Sequence, residues 1–294
     1  MIFLLFISGG SVQAQMSSTN YEIRFDALGS GGEDTSSSAS YILRDTLGNI
    51  SGEGDSSTSY ELNSGFRPGI FDPSVDFTIF IQDRSSQVAA TVLVGTTVTV
   101  TSAAGIAAGD MIVVVQDEGS TQVSAIGVVD STTATTATVD VFTNSGAAPV
   151  IDGANDVVYV LDAATVSLGT LSDTLVTTGI IAWEVNSDVD DGYDVFVLDD
   201  GNLRSGANTI TDVADGTVTA GSSEYGARSS DSTLATSTFD TADTAFTTTA
   251  ALVGSRDDVE FKSRDFLTMK MSITDTQEEG TYAHALTLIY VGDY

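Results

Sequence analysis

Strand-sized runs at short intervals limit what this chain can fold into more than any other feature. Phe77-Thr78-Ile79-Phe80-Ile81, Thr97-Val98-Thr99-Val100-Thr101, Met111-Ile112-Val113-Val114-Val115 and residues 123–129, 138–142 and 157–161 are separated by Gly, Asp and Ser. Runs rich in β-branched residues at roughly 8–15 residue intervals predict a sandwich or barrel. The pattern continues through Thr165-Val166-Ser167-Leu168, Ile180-Ile181-Ala182-Trp183-Glu184-Val185, Tyr193-Asp194-Val195-Phe196-Val197-Leu198 and residues 258–261, 267–273 and 281–290. Only residues 232–252 have weak helical character, and their many threonines argue against a stable helix. Gly105 and Gly109 suit positive φ in a turn, and the strand after them excludes a phosphate loop. The expected fold class is all-β, two β-sandwich/barrel-like modules preceded by a strand-repeat N-terminal segment.

That segment repeats itself. Ser17-Ser18-Thr19-Asn20-Tyr21-Glu22-Ile23 is echoed by Ser37-Ser38-Ala39-Ser40-Tyr41-Ile42-Leu43 and by Ser56-Ser57-Thr58-Ser59-Tyr60-Glu61-Leu62. Each copy reads as one strand, with Tyr21, Ile23 and Phe25 on one face and Glu22, Arg24 and Asp26 on the other. A lone strand cannot bury its apolar face, so it must stack on its neighbours or on another chain. Gly65, Pro68, Gly69 and Pro73 then mark a boundary. Residues 1–7 are an apolar run too short to span a bilayer, and Val12-Gln13-Ala14 has the small residues of a signal-peptidase site. The expected organisation is a signal peptide over 1–14, a strand-repeat segment over 15–72, a β-domain over 75–162 and a β-sandwich over 163–294.

Charge narrows the partners. The 294 residues carry 10 Lys+Arg against 41 Asp+Glu, a formal charge of −31. Phosphate backbones and anionic membrane surfaces repel such a surface, so no nucleic acid is expected, and no segment after the first is long and apolar enough for a membrane span. Without Cys there are no disulfides or thiolate sites, and one His cannot form a multi-histidine metal site. An acidic, cysteine-free exported protein points to a bacterial or archaeal cell surface and also suits a saline habitat.

The sharpest candidate for chemistry is Asn186-Ser187-Asp188-Val189-Asp190-Asp191-Gly192. Oxygen ligands at alternate positions before a Gly resemble a calcium loop, with Asn186, Asp188, Asp190 and Asp191 as ligands. The Gly comes one place late and no Glu follows at the twelfth position; the competing reading is an acidic hairpin turn. Asp199-Asp200-Gly201-Asn202 reads as another hairpin turn, and Asp212 and Asp215 could join either site. His284 alternates with Tyr282, Leu286, Leu288 and Tyr290, which suits a packed histidine better than a catalytic base. Trp183, Tyr193, Phe196 and Tyr225 could stack on sugars or fill a core.

The Ser-Ser-x-x-Tyr repeats before a β-rich body resemble predicted surface proteins of candidate-phyla bacteria. Val185-Asn186 through Gly192-Tyr193-Asp194-Val195, Gly221-Ser222-Ser223-Glu224-Tyr225-Gly226 and Gly280-Thr281-Tyr282 are loosely similar to WxL-type and pilin-like secreted β-sandwich domains. Trp183-Glu184-Val185 departs from the WxL tripeptide. The resemblance implies an extracellular structural role with no transferable catalytic residue.

The expected function is therefore non-enzymatic: a subunit of a surface filament or layer, a homopolymer assembled by β-strand exchange. The expected donor strand carries Tyr21, Ile23, Phe25 and Leu28, with calcium or salt offsetting repulsion between subunits. The alternative is a secreted adhesin or carbohydrate-binding module with cell-surface glycans as partners.

Overall fold

The computed structural model describes residues 75–293 in full and, within residues 1–74, the backbone of six short strands. The chain separates between Asp72 and Pro73 into two compact units. In the first, β1 (Met16–Ser18) pairs antiparallel with β2 (Tyr21–Ile23), and β3 (Ser36–Ser38) with β4 (Tyr41–Leu43). β5 (Gly52–Ser56) pairs likewise with β6 (Glu61–Ser64). Each repeat, expected as one strand, is thus a hairpin. In the first two copies the serine run forms one arm and the tyrosine run the other. Of the expected donor residues, Tyr21 and Ile23 lie in β2; Phe25, Leu28 and the expected signal peptide lie outside the described residues.

The second unit begins with β7 (Val75–Ile81), β8 (Val88–Val94), β9 (Thr97–Val100), β10 (Met111–Gln116), β11 (Val123–Thr132), β12 (Thr136–Val139), β13 (Thr143–Asn144) and β14 (Val157–Val160). It continues with β15 (Thr177–Ser187), β16 (Tyr193–Asp199), β17 (Leu203–Ser205), β18 (Asn208–Asp212), β19 (Glu224–Ser229), β20 (Ala251–Arg256), β21 (Glu260–Ser272) and β22 (Leu286–Gly292). One 3₁₀ turn, Arg84–Ser86, is the only helical element among the described residues, and no helix there is long and apolar enough to cross a membrane.

Strands β10, β14, β8, β9, β12 and β11 pair in that order, and β11 pairs back onto β10, closing a small barrel. β8 and β11 shift register near Ala90 and Val129, as strands do where they bend around a tight barrel. Val98, Val100, Ile112, Val114, Val139 and Val158 fill its interior. A second sheet runs β17-β18-β19-β21-β15-β7, and a third β20-β16-β22.

The three form layers. β10 turns Ile112 and Val114 into the barrel, while Met111, Val113 and Val115 pack outward with Ile180, Ala182 and Phe266 of the second sheet. β15 turns Ile181, Trp183 and Val185 the other way, among Tyr193, Val195 and Val197 of the third sheet. β15, inside the middle sheet, is therefore buried on both faces. A strand covered on both sides needs apolar residues at both parities, hence the nearly unbroken apolar run from 179 to 185. Each large side chain fully buried there contributes about 1.5–3 kcal/mol of transfer free energy.

Several expectations are corrected. The expected boundary at 162/163 does not divide the structure: β7 pairs with β15, and one core cluster joins residues from both regions. Residues 165–168 are not a strand, although Val166 and Leu168 pack on the core. Residues 258–261 and 267–273 belong to one 13-residue strand, β21, apart from their first two residues and their last. Residues 232–250 contain no helix. Neither acidic turn is a hairpin, because β15 and β16 lie in different sheets, as do β16 and β17. Gly192 has φ +88° in the first crossing, where a Cβ would collide with the Arg256 carbonyl, so only glycine fits.

Candidate functional site

Four strands end the second and third sheets, and two of them are closed off. On β20, Ser229 Oγ donates to the Val253 carbonyl at 2.6 Å and the Ser255 amide donates to Asp231 Oδ2 at 3.0 Å. The short β17 exchanges backbone bonds with Ala283 through Arg204. β7 and β22 differ. Each is seven residues long and pairs on one side only among the described residues.

On β7 the alternation of backbone groups can be read directly. The Gln82 amide donates inward to Ile180, whereas the Ile81 carbonyl accepts from Ala163 on the outer side. Residues of the same parity as Ile81, namely Val75, Phe77 and Ile79, therefore turn their N–H and C=O groups outward. Exposed edges are usually blunted by Lys, Pro or a bulge. β7 has only Asp76, β22 has no charged residue, and neither ladder breaks register. Ile79 is 43% exposed and Val291 42%.

The two edges lie on the same side of the sandwich. The Tyr290 ring of β22 stands 6.0 Å from Phe77 of β7 and 5.6 Å from Tyr193. Its hydroxyl is 2.9 Å from Ser187 Oγ, at the end of the strand that pairs with β7.

The calcium candidates are spread along the crossing between β15 and β16. Asn186 Oδ1 accepts the Lys262 amide at 2.9 Å, and Asp188, Asp190 and Asp191 are exposed. Among the described residues, no three acidic or histidine side chains converge as a metal site. The four aromatics weighed for sugar stacking belong to the core: Trp183, Tyr193 and Tyr225 are almost fully buried and Phe196 partly so.

Comparison of the chain with family models, curated proteins and solved structures returned no match.

His284 sits in a closed polar pocket, its side chain 6% exposed and 3.8 Å from Asp199 Oδ2. Its ring meets Tyr225 and Phe246 edge-on. Asp212 joins this pocket, whereas Asp215 only caps an exposed turn by accepting the Thr217 amide. Burial and the nearby Asp199 charge push the Asp212 carboxyl up, against the Tyr225 hydroxyl and His284. One oxygen each of Asp199 and Asp212 is buried without a hydrogen-bond partner. The ring packs as expected of a core histidine; its acidic surroundings were not legible, because the pocket gathers residues 199, 212, 225 and 284 from separate strands.

Two further ionic clusters were missed because their members are remote in sequence. Arg256 bridges Asp231 at 3.1 Å and Asp265 at 2.6 Å, and burial pushes Asp265 up to about 6 despite the Arg256 charge. Buried Arg264 reaches Asp140 of the barrel region and Glu184 of β15. Both clusters hold layers together. The signal for the open edges was present: charge-poor, proline-free runs at 75–81 and 286–292.

Proposed function

We propose that this protein is a non-enzymatic extracellular structural protein, the subunit of a surface filament or layer in which strands of one copy extend the sheets of another. The observation that carries this reading is the pair of neighbouring, unblunted edges β7 and β22, since open edges are templates for strand addition through main-chain hydrogen bonds. The hairpin repeats add support, because isolated two-stranded hairpins are only marginally stable and gain most from joining a larger sheet. The charge of −31 opposes association at low ionic strength, so salt or calcium promotes it. The buried aromatics favour this reading over a glycan-binding platform.

Negative-stain electron microscopy of the purified full chain, with and without millimolar calcium and at low and high salt, tests the proposal. Regular filaments or sheets support it. Discrete single particles under every condition refute it.

A further inference from the structure

Resting on that reading, we propose that the free edge of β7, with the acidic cleft beside it, is the acceptor for an arginine-bearing hairpin of the N-terminal repeat of a second copy. The cleft has a volume of about 260 Å³. Small-molecule sites begin near 300 Å³, so this one suits a single side chain. Ile81, Met111 and Leu161 line it as apolar residues, and Asp162 and Asp110, whose carboxylate also accepts the Ala107 amide, line it as acids. Apolar walls with carboxylates beside them suit an arginine, whose stem packs on hydrocarbon while its guanidinium pairs with the acids.

The sequence offers few arginines for that role. Arg84, Arg204, Arg256 and Arg264 already pair with carboxylates inside the second unit, and Arg228 donates to the Asp240 carbonyl. In the N-terminal repeat, Arg24 follows Tyr21 by three residues and Arg44 follows Tyr41 by three; the third copy has Asn63 there, and the remaining arginine, Arg67, follows the last repeat directly before Pro68 rather than at that spacing.

Alternation completes the match. In β7, Phe77 packs toward the sandwich core and Phe80, of opposite parity, toward the barrel side. A strand added with Tyr21 and Ile23 continuing the Phe77 face turns Arg24 to the Phe80 face, where the cleft lies. β2 and β4 are each three residues long, enough to pair across two of the outward-facing positions Val75, Phe77 and Ile79, which alternate along β7. Each chain has two such hairpins and one such edge, so at least one hairpin per chain is left for a second copy.

The test uses full chains at matched concentration, with sedimentation velocity and electron microscopy as readouts. Ile79→Lys alters an exposed side chain and leaves the melting temperature unchanged, but raises the concentration needed for assembly by about tenfold or more. Arg24→Glu with Arg44→Glu does the same from the donor side, and adding Asp162→Lys to that chain restores assembly. An equimolar mixture of the Ile79→Lys chain and the Arg24→Glu/Arg44→Glu chain stops at complexes of two or three chains, the first having two working donors but no acceptor and the second one working acceptor but no donor. If Ile79→Lys and the arginine variants assemble like the parent, this acceptor is wrong while the assembly reading stands. If the parent itself stays monomeric, both fall. If Ile79→Lys leaves a monomeric parent unchanged in mass but exposes residues 15–72 to protease, the hairpin docks within its own chain and the inference is overturned.

Discussion

The Arg264 guanidinium grips both carboxylate oxygens of Asp140, at 2.8 and 2.7 Å, while its Nε donates to Glu184 at 2.6 Å. Residue 140 follows the barrel strand β12, and residues 184 and 264 face each other on β15 and β21, so one side chain fastens two layers. Burial of Asp140 opposes its ionisation, yet the bonds from Arg264 and from the Val141 and Val128 amides hold it below the usual carboxylate value.

Arg264→Leu leaves these acids without their cation, and loss of one partner of a buried pair costs about 3–5 kcal/mol. Urea denaturation reads the loss as a lower midpoint. Arg264→Lys recovers only part of it, because an ammonium cannot make the two-pronged contact. A midpoint within error of the parent for Arg264→Leu refutes the clamp.

Stability should respond to acid in two opposite phases. Asp265 is raised to about 6 in the fold against an ordinary 3.8, so its contribution is complete below 3.8 and lost as pH rises through 6. Acidification from pH 7 to 5 therefore stabilises the protein, by at most about 3 kcal/mol for the whole shift. Asp140 is lowered, so its contribution is complete above 3.8 and lost as pH falls through its depressed value. Thermal melts from pH 7 to 3 should rise and then fall, and Asp265→Asn should flatten the rise. A monotonic fall from pH 7 contradicts the assignment.

Gly192→Ala combines an unfavourable positive φ with a Cβ driven into the Arg256 backbone. The expected cost exceeds the roughly 1 kcal/mol of left-handed strain alone. Gly206→Ala is the comparison, since that glycine has φ +62° but open space around its missing Cβ. Differential scanning calorimetry should place Gly192→Ala well below Gly206→Ala; equal melting temperatures would remove the steric argument.

Gly254 lies against the buried indole of Trp183, with a Cβ there only 3.0 Å from Cζ2. Trp183→Phe relieves that crowding and removes an indole N–H that has no partner, but leaves a void beside the core. The double variant Trp183→Phe/Gly254→Ala should therefore be more stable than Gly254→Ala alone. Additive losses in the cycle, read by chemical denaturation, would show that the two positions do not share space.

Local pattern carried the all-β class and most of the strands, and failed where a strand's character depends on a distant partner. Lys262-Ser263-Arg264-Asp265 broke the apolar run of β21 in two, because Arg264 and Asp265 are buried with opposite charges that only the fold supplies. The turns at 186–192 and 199–202 read as hairpins because acidic residues before a glycine serve a sheet crossing equally well. The expected boundary at 162/163 falls between the paired strands β7 and β15 because nothing in the composition of β7 specifies β15 as partner. The serine runs of the first two repeats and the Gly52-Glu53-Gly54-Asp55-Ser56 arm of the third have weak strand propensity, which hides the first arm of each hairpin.

The side-by-side edges also decide how the second unit answers a pull. Val75 stands opposite Ser187, Ser187 bonds Tyr290, and Gly292 stands opposite Tyr193, so the unit's first and last strands leave at the same end. Tension between those chain ends unzips β7 from β15 and β22 from β16 one rung at a time, the weakest way to load a sheet. On the proposed assembly, a strand laid along β7 and pulled lengthwise would load its whole ladder at once, so lateral neighbours, more than the second unit's own end strands, would bear traction.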